Sequence, residues 1–135
     1  MIGGKSTGKL LQAFTGRAYV AQVSVTLVDR QRDVVLAGHV VRGDGHPVRQ
    51  GFVAAAISGC RVVVEAIPEA GHYSVVINRI VATDVDSTVG SVRCAAIVAT
   101  LMAFGRNVDL LEFALDDSGE IHATPSSFNH VASAV

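Results

Sequence analysis

Two short segments of this chain hold side chains suited to acid–base chemistry or to anion binding. They are Asp44-Gly45-His46-Pro47 and Asp84-Val85-Asp86-Ser87. An imidazole titrates near neutrality, which suits a proton carrier, so His46 is the candidate catalytic acid or base. Asp84 or Asp86 is the candidate catalytic partner, which would orient the imidazole or balance its charge.

Anion binding is the second chemistry that these segments suggest. Both precede predicted helices, whose first N–H groups and partial positive charge attract a carboxylate or a phosphate. Arginines near the helix starts can hold such an anion through two parallel hydrogen bonds. The candidate ligand-binding residues are Asp44, Arg49, Ser87 and Arg93. A structural alternative stays open, in which Asp86 or Ser87 caps its helix and Asp44 orders the turn before the next helix.

Motifs for nucleotides and metals are incomplete. Gly3–Lys9 follows the spacing of a phosphate-binding loop, but Leu10 stands where a Ser or Thr would hold magnesium, and no strand precedes the loop. The segment from Asp84 begins like a calcium loop, but Val89 and Ala95 take the places of its required Gly and Glu. The histidines lack the spacing of a zinc site. We therefore predict no cofactor and no metal.

Composition limits the classes of partner. The chain has 135 residues, of which 50% are hydrophobic and 17% charged, as expected for a single folded domain. Its 11 Lys and Arg and 12 Asp and Glu give a net charge of -1, so nucleic acid is not an expected partner unless a local basic patch exists. Cys60 and Cys94 are predicted to be reduced, buried thiols. The longest apolar run, Cys94–Phe104, is about half a membrane span, so we expect no membrane association and a cytoplasmic location.

Hydrophobic periodicity divides the chain into alternating strands and helices. The predicted strands are 19–27, 34–41, 61–67, 73–83, 110–115 and 120–123, with 19–27 and 34–41 forming a hairpin. The predicted helices are 48–59, ended by Gly59, and 89–104. Residues 1–16 are expected to be a flexible start and residues 124–135 a loose tail.

An internal duplication is also predicted. A shift of forty positions places residues 34–58 over 74–98 without a gap, and Ala55-Ala56-Ile57 then matches Ala95-Ala96-Ile97. The two repeats would be 34–67 and 74–115. We therefore predict an α+β fold, a two-layer sandwich with a mostly antiparallel sheet and two alanine-rich helices on one face, built from two similar strand-loop-helix-strand units.

The segment from Asp84 to Phe104 resembles domain IV of translation elongation factor G. That family shows a similar Asp-Val-Asp-Ser followed by an alanine-rich helix that ends in Met-Ala-Phe, as here. The resemblance covers about a sixth of the chain. It implies a layer of sheet covered by helices.

Three functions follow from these observations. The first is a homo-oligomeric protein that binds a small anionic metabolite at the helix-start loops; whether acid–base catalysis accompanies binding stays open. The apolar composition and the strand edges favour self-association. The alternatives are a non-catalytic regulatory or structural oligomer and an RNA- or ribosome-associated module.

Overall fold

A four-stranded sheet forms one layer of the protein. The computed structural model describes residues 4–14 and 16–133. Strands β1 (Gly4–Phe14) and β2 (Arg17–Asp29) pair antiparallel. Strand β3 (Val35–Leu36) pairs parallel with β4 (Tyr73–Val81), which is itself antiparallel to β2. The strand order is therefore β1-β2-β4-β3, with β1 and β3 at the edges.

Two alanine-rich helices cover one face of this sheet. Helix α1 spans Gln50–Ala66 and helix α2 spans Val89–Ala103. Helix α2 lies across β1 and β2, whereas α1 packs beside α2 and against β3 and β4. The predicted fold class, a two-layer α+β sandwich with a mostly antiparallel sheet, is confirmed.

Small residues bring the two layers together. A Cβ atom at Gly8 of β1 would meet the backbone of α2 at Ala95 and Ala99. Between the helices, a Cβ atom at Gly59 would meet the carbonyl oxygen of Arg93 and would lie 2.9 Å from the Cβ of Ala96. Glycine is therefore the residue that permits each of these approaches, because any side chain would push the backbones apart.

The last third of the chain closes one side of the helical layer. A short 3-10 turn at Val108–Leu110 leads into a small antiparallel sheet of β5 (Phe113–Leu115) and β6 (Ile121–Ala123). Helix α3 (Pro125–Ser133) follows and contacts α1, while β6 contacts α2. This arrangement leaves a groove between the helices and β6.

The core lies between the large sheet and the helices. Its side chains are aliphatic and small, and Phe104 is the largest that is fully buried. Burying a Val or Leu side chain stabilises a fold by roughly 1.5 to 3 kcal/mol, so this layer supplies most of the driving force for folding. Its most deeply buried members include Val23, Val25, Val63, Val75, Ile80, Ala96 and Leu101.

The beginning of the chain differs from the sequence expectation. The sequence predicts a flexible start over residues 1–16, but Gly4–Phe14 is an edge strand, while Met1–Gly3 and Thr15 lie outside the described residues. Pairing with β2 and packing of Gly8 and Leu10 on α2 stabilise this strand despite its polar composition. The predicted hairpin of 19–27 with 34–41 is also wrong, because β2 pairs with β1 and β4 and only Val35–Leu36 is a strand in the second segment.

The first helix is longer than predicted. Gly59 does not end it, and the predicted strand 61–67 is the second half of α1. The buried positions Phe52, Ala56, Gly59 and Val63 follow a helical period, which continues through the β-branched run. Burial of this stripe against α2 outweighs the β propensity of consecutive valines.

The end of the chain is more ordered than predicted. The expected loose tail 124–135 contains α3, and Ala134 and Val135 lie outside the described residues. The predicted strand 110–115 is shortened to Phe113–Leu115 by the 3-10 turn before it. The internal duplication stays a prediction.

Candidate functional site

One ion pair joins the two loops that the sequence singles out. Arg49 Nη1 lies 2.9 Å from Asp84 Oδ1, and both side chains are 69% exposed. The loop before α1 also runs along β4, since Val41 bridges to Arg79. The structure therefore places residues 42–49 and 82–88 at the same end of the sheet.

The first loop does not orient His46 for proton transfer. Asp44 Oδ1 accepts a hydrogen bond from the backbone N–H of His46 at 3.1 Å, and Asp44 Oδ2 pairs with Arg42 Nη2 at 3.1 Å. The pKa of Asp44 is lowered, chiefly by that backbone N–H. The imidazole itself is exposed and has no hydrogen bond within residues 4–14 and 16–133. These contacts order a turn and leave the ring without a partner that would position it as a base.

The second loop is tied to β2 through Ser87. Its buried hydroxyl donates to the carbonyl oxygen of Val20 at 2.6 Å and accepts from the N–H of Thr83 at 2.9 Å. The carbonyl oxygen of Asp86 accepts from the N–H of Val20 at 3.0 Å. Ser87 thus holds the loop in place, whereas the exposed carboxylate of Asp86 faces solvent and that of Asp84 pairs with Arg49.

The cap of α2 is Thr88, not Asp86 or Ser87. The N–H of Ser91 donates to Thr88 Oγ1 at 3.0 Å, and the N–H of Thr88 donates to Ser91 Oγ at 2.8 Å. The hydroxyl of Thr88 also donates to Glu120 Oε1 at 2.6 Å. This reciprocal pair is a capping box in which Ser takes the place of the usual Glu or Gln.

Arg93 lies apart from this end of the sheet. It lines a groove of about 310 Å³ bounded by α1, α2, β6 and α3. The groove also contains His122 and Asn129 on the polar side and apolar side chains such as Val62, Ile97 and Phe128. The sequence pattern did not indicate this groove, because its residues are distant along the chain.

The open face of the sheet carries basic side chains on β1. Gly8 and Leu10 face α2, so the alternate residues Lys5 and Lys9 project from the opposite face, and both are exposed. In register, Lys5 lies opposite Thr26 and Lys9 opposite Gln22. The open face therefore has two lysines along its edge.

A third basic residue on this face comes from β4. Arg79 pairs with Ser24, and Ser24 pairs with Thr7, whose hydroxyl lies 2.9 Å from that of Ser24. Arg79 is exposed and donates to the carbonyl oxygen of Gly43 at 3.2 Å. A shallow depression of about 400 Å³ adjoins it, between residues 42–44 and 79–83.

Acidic residues are nearly absent from the strands beneath this face. The four strands contain one carboxylate, that of Asp29, the last residue of β2. Asp29 is three residues from Thr26, which lies opposite Lys5, or about 10 Å along an extended strand, but alternation places it with Leu27 on the helical face. Lys5, Lys9 and Arg79 thus form a basic patch, called the open-face patch below, on a chain whose overall charge is slightly negative.

The two cysteines are free and buried, as predicted. Burial raises the pKa of Cys60 to about 11 and that of Cys94 to about 12. Thr100 Oγ1 lies 3.3 Å from the sulfur of Cys60, which is in the middle of α1 and not at its end. Neither thiol has the lowered pKa that a nucleophile needs.

Metal-binding clusters and membrane spans are not found in the described part of the chain. Residues 4–14 and 16–133 contain no cluster of His, Cys, Asp or Glu that could hold a metal ion. None of the helices among these residues is long and apolar enough to cross a bilayer.

The chain is similar in fold to a segment of a longer protein. It matches no family model and no curated protein. Among solved structures it is similar to the protein ttk003000868 from Thermus thermophilus, with a TM-score of 0.61 and 15% sequence identity. The match covers 74% of this chain and 15% of that one. The likeness therefore concerns the fold alone, as one part of a chain several times as long.

Proposed function

We propose that this chain is a non-catalytic module that contacts RNA, and that the sugar–phosphate backbone lies across the open face of the sheet. The observation that carries the proposal is the open-face patch of Lys5, Lys9 and Arg79, on strands whose one carboxylate, that of Asp29, belongs to the opposite face. Phosphate contacts supply most of the affinity in sequence-independent binding. A local patch can do this although the net charge is -1.

The geometry of the patch suits a strand of nucleic acid. Lys5 and Lys9 are four residues apart on one strand, which places their Cα atoms about 14 Å apart. Arg79 projects from the same face two strands away. Between these charges lie the hydrogen-bonding side chains of Gln22 and Thr26, a type that contacts phosphate and sugar oxygens.

The expected binding is weak and independent of sequence. The aromatic residues of the strands, Phe14, Tyr19 and Tyr73, pack with each other or with the core, so the described part of the open face offers no ring on which a base could stack. Three phosphate contacts to single-stranded RNA predict a slope of about -2 in a plot of log affinity against log salt.

Two further observations support a binding role. The resemblance of Asp84–Phe104 to domain IV of elongation factor G favours an RNA- or ribosome-associated module, and the likeness to part of a longer Thermus chain favours a domain of a larger protein. The exposed, unoriented imidazole of His46 favours binding over acid–base catalysis.

A fluorescence-anisotropy titration with a short labelled oligouridine tests the proposal. We expect the triple variant Lys5→Gln, Lys9→Gln, Arg79→Gln to lose at least about tenfold in affinity at low salt, because three counterion-releasing contacts are removed. The matched control is Arg61→Gln, which removes an exposed arginine from α1 on the helical side. Equal binding by wild type and the triple variant, or an equal loss in the control, would contradict the proposal.

Self-association, the other function predicted from composition, has support from β1. This strand is eleven residues long, and among the described residues its outer edge has no strand partner. Such an edge can pair with a second copy, although Lys5 and Lys9 disfavour close approach of two like edges. Sedimentation equilibrium at several concentrations separates a monomer from a dimer.

A further inference from the structure

The groove next to Arg93 has the form of a small-molecule site. Its volume of about 310 Å³ is at the lower end of the range for ligand pockets. It is bounded by four elements, α1, α2, β6 and α3, is partly open to solvent, and has a mainly apolar lining. This combination of concavity and apolar walls distinguishes it from the shallow depression near Arg79.

The walls of the groove suit an apolar ligand body. Val62 of α1, Ile97 of α2 and Phe128 of α3 line it from three sides. Ile97 and Phe128 pack against the core and Val62 is half-buried, so their positions are fixed by packing rather than by a ligand. A hydrocarbon chain or a ring placed here would remove apolar surface from water.

The charge of the lining specifies the polar end of the ligand. Among the described residues no Asp or Glu lines the groove, whereas Arg93 does. This side chain is exposed and has no hydrogen bond or ion pair within the described residues, so its donors are available to a ligand. A guanidinium binds a carboxylate through two parallel hydrogen bonds.

Two further polar side chains complete the rim. Asn129 supplies an amide, and His122 Nδ1 lies 3.3 Å from the carbonyl oxygen of Ala123. Because a carbonyl oxygen can only accept, this contact requires hydrogen on Nδ1. With Arg93 as the one permanent cation in the described lining, the groove matches a monoanion better than a phosphate dianion.

We propose that the groove between α1, α2, β6 and α3 binds a small monocarboxylate with an apolar body, held at its carboxylate by Arg93. A medium-chain aliphatic acid or a phenyl-substituted short acid has the required chemistry. The site lies on the helical side of the protein, so it is independent of the open-face patch.

Isothermal titration calorimetry with octanoate tests the proposal, with octanamide as the uncharged probe of the same shape. We expect saturable one-to-one binding of octanoate. Octanamide should bind at least about tenfold more weakly, because it cannot form a charged hydrogen bond with Arg93. Arg93→Gln should weaken octanoate to the level of octanamide. The exposed control Arg61→Gln should bind octanoate like wild type.

A second variant addresses the apolar half of the site. Val62→Phe fills the groove from α1 at a partly exposed position, so the fold should be kept, as judged by an unchanged circular dichroism spectrum. We expect this variant to bind neither probe. The proposal is overturned if octanoate and octanamide bind equally, if neither binds wild type, or if Arg93→Gln and Val62→Phe bind octanoate as wild type does.

Discussion

Arg49 Nη1 lies 2.9 Å from Asp84 Oδ1, and this ion pair connects the loops that precede the two main helices. Both side chains are 69% exposed, so water screens their attraction. A second pair, Arg106 Nη2 with Glu69 Oε1 at 2.7 Å, is more enclosed, with the arginine side chain only 9% exposed. The two pairs therefore contribute differently to stability.

Breaking the two ion pairs should show this difference. We expect a coupling energy below about 1 kcal/mol from a double-mutant cycle of Arg49→Gln and Asp84→Asn. We expect Arg106→Gln to cost about 1.5 to 3 kcal/mol, because it removes a buried charged hydrogen-bond donor from Glu69. Urea denaturation measures both. A coupling of several kcal/mol at the exposed pair would mean that the loops are held together by this contact.

Adding one methyl group at Gly59 should destabilise the packing of α1 on α2. In Gly59→Ala the new Cβ meets the Arg93 carbonyl oxygen and lies 2.9 Å from Ala96 Cβ, so the helices must separate. We expect a net loss of about 1 to 3 kcal/mol, which exceeds the gain in helix propensity. Gly51→Ala is the control: its Cβ has nothing within 4 Å, and it should be neutral or stabilising by up to about 1 kcal/mol. Thermal melts of both variants decide this, and a stabilised Gly59→Ala would contradict the close helix contact.

The sequence suggests Asp86 as a cap of α2, whereas the structure shows Thr88, and substitutions at these two residues distinguish the assignments. Thr88→Ala removes the hydroxyl that accepts from Ser91 and donates to Glu120. We expect it to cost about 1 to 2 kcal/mol in the free energy of unfolding. Asp86→Ala should cost less than about 0.5 kcal/mol, because its exposed carboxylate makes no cap. The reverse ranking would restore Asp86 as the cap.

Much of the fold could be predicted from the sequence, and the errors in predicting the other elements have a common cause. The sequence predicts helix α2 within one residue of its end, because its alanine-rich run is a local signal, although its cap is Thr88. The second half of α1 was not, because consecutive valines favour a strand locally and only burial on α2 makes them helical. Strand β1 was not predicted for the same reason. In the sequence Gly8 indicates a flexible segment, and only the structure shows that the backbone of α2 packs against it.

The candidate site was harder to predict than the fold. The sequence assigns Arg49 and Asp84 to one candidate site, and the structure joins them in an ion pair. The separation of Arg93 from Arg49 and Asp84 could not be predicted from the sequence, because it depends on how α1 packs on α2. The open-face patch could have been found from the alternation of Lys5 and Lys9, had the first residues been predicted as a strand.

The cysteines predict how stability depends on pH. Cys60 and Cys94 have pKa values of about 11 and about 12, above the ordinary value of 9.0, because burial disfavours the thiolate. The neutral thiols therefore stabilise the fold fully below pH 9, and this contribution is lost as the pH rises toward 11 to 12. We expect a thiol reagent to label neither residue at about pH 8 in the native protein and both in urea. Rapid native labelling would contradict the burial.

The most direct test of the proposed function is a map of amide chemical shifts in isotope-labelled protein as unlabelled oligouridine is added at low salt. We expect the largest changes on the open face, at Lys5, Lys9, Arg79 and the residues paired with them, and we expect added salt to reverse them. Changes confined to α3 or to the loops 42–49 and 82–88, or no changes at all, would contradict it.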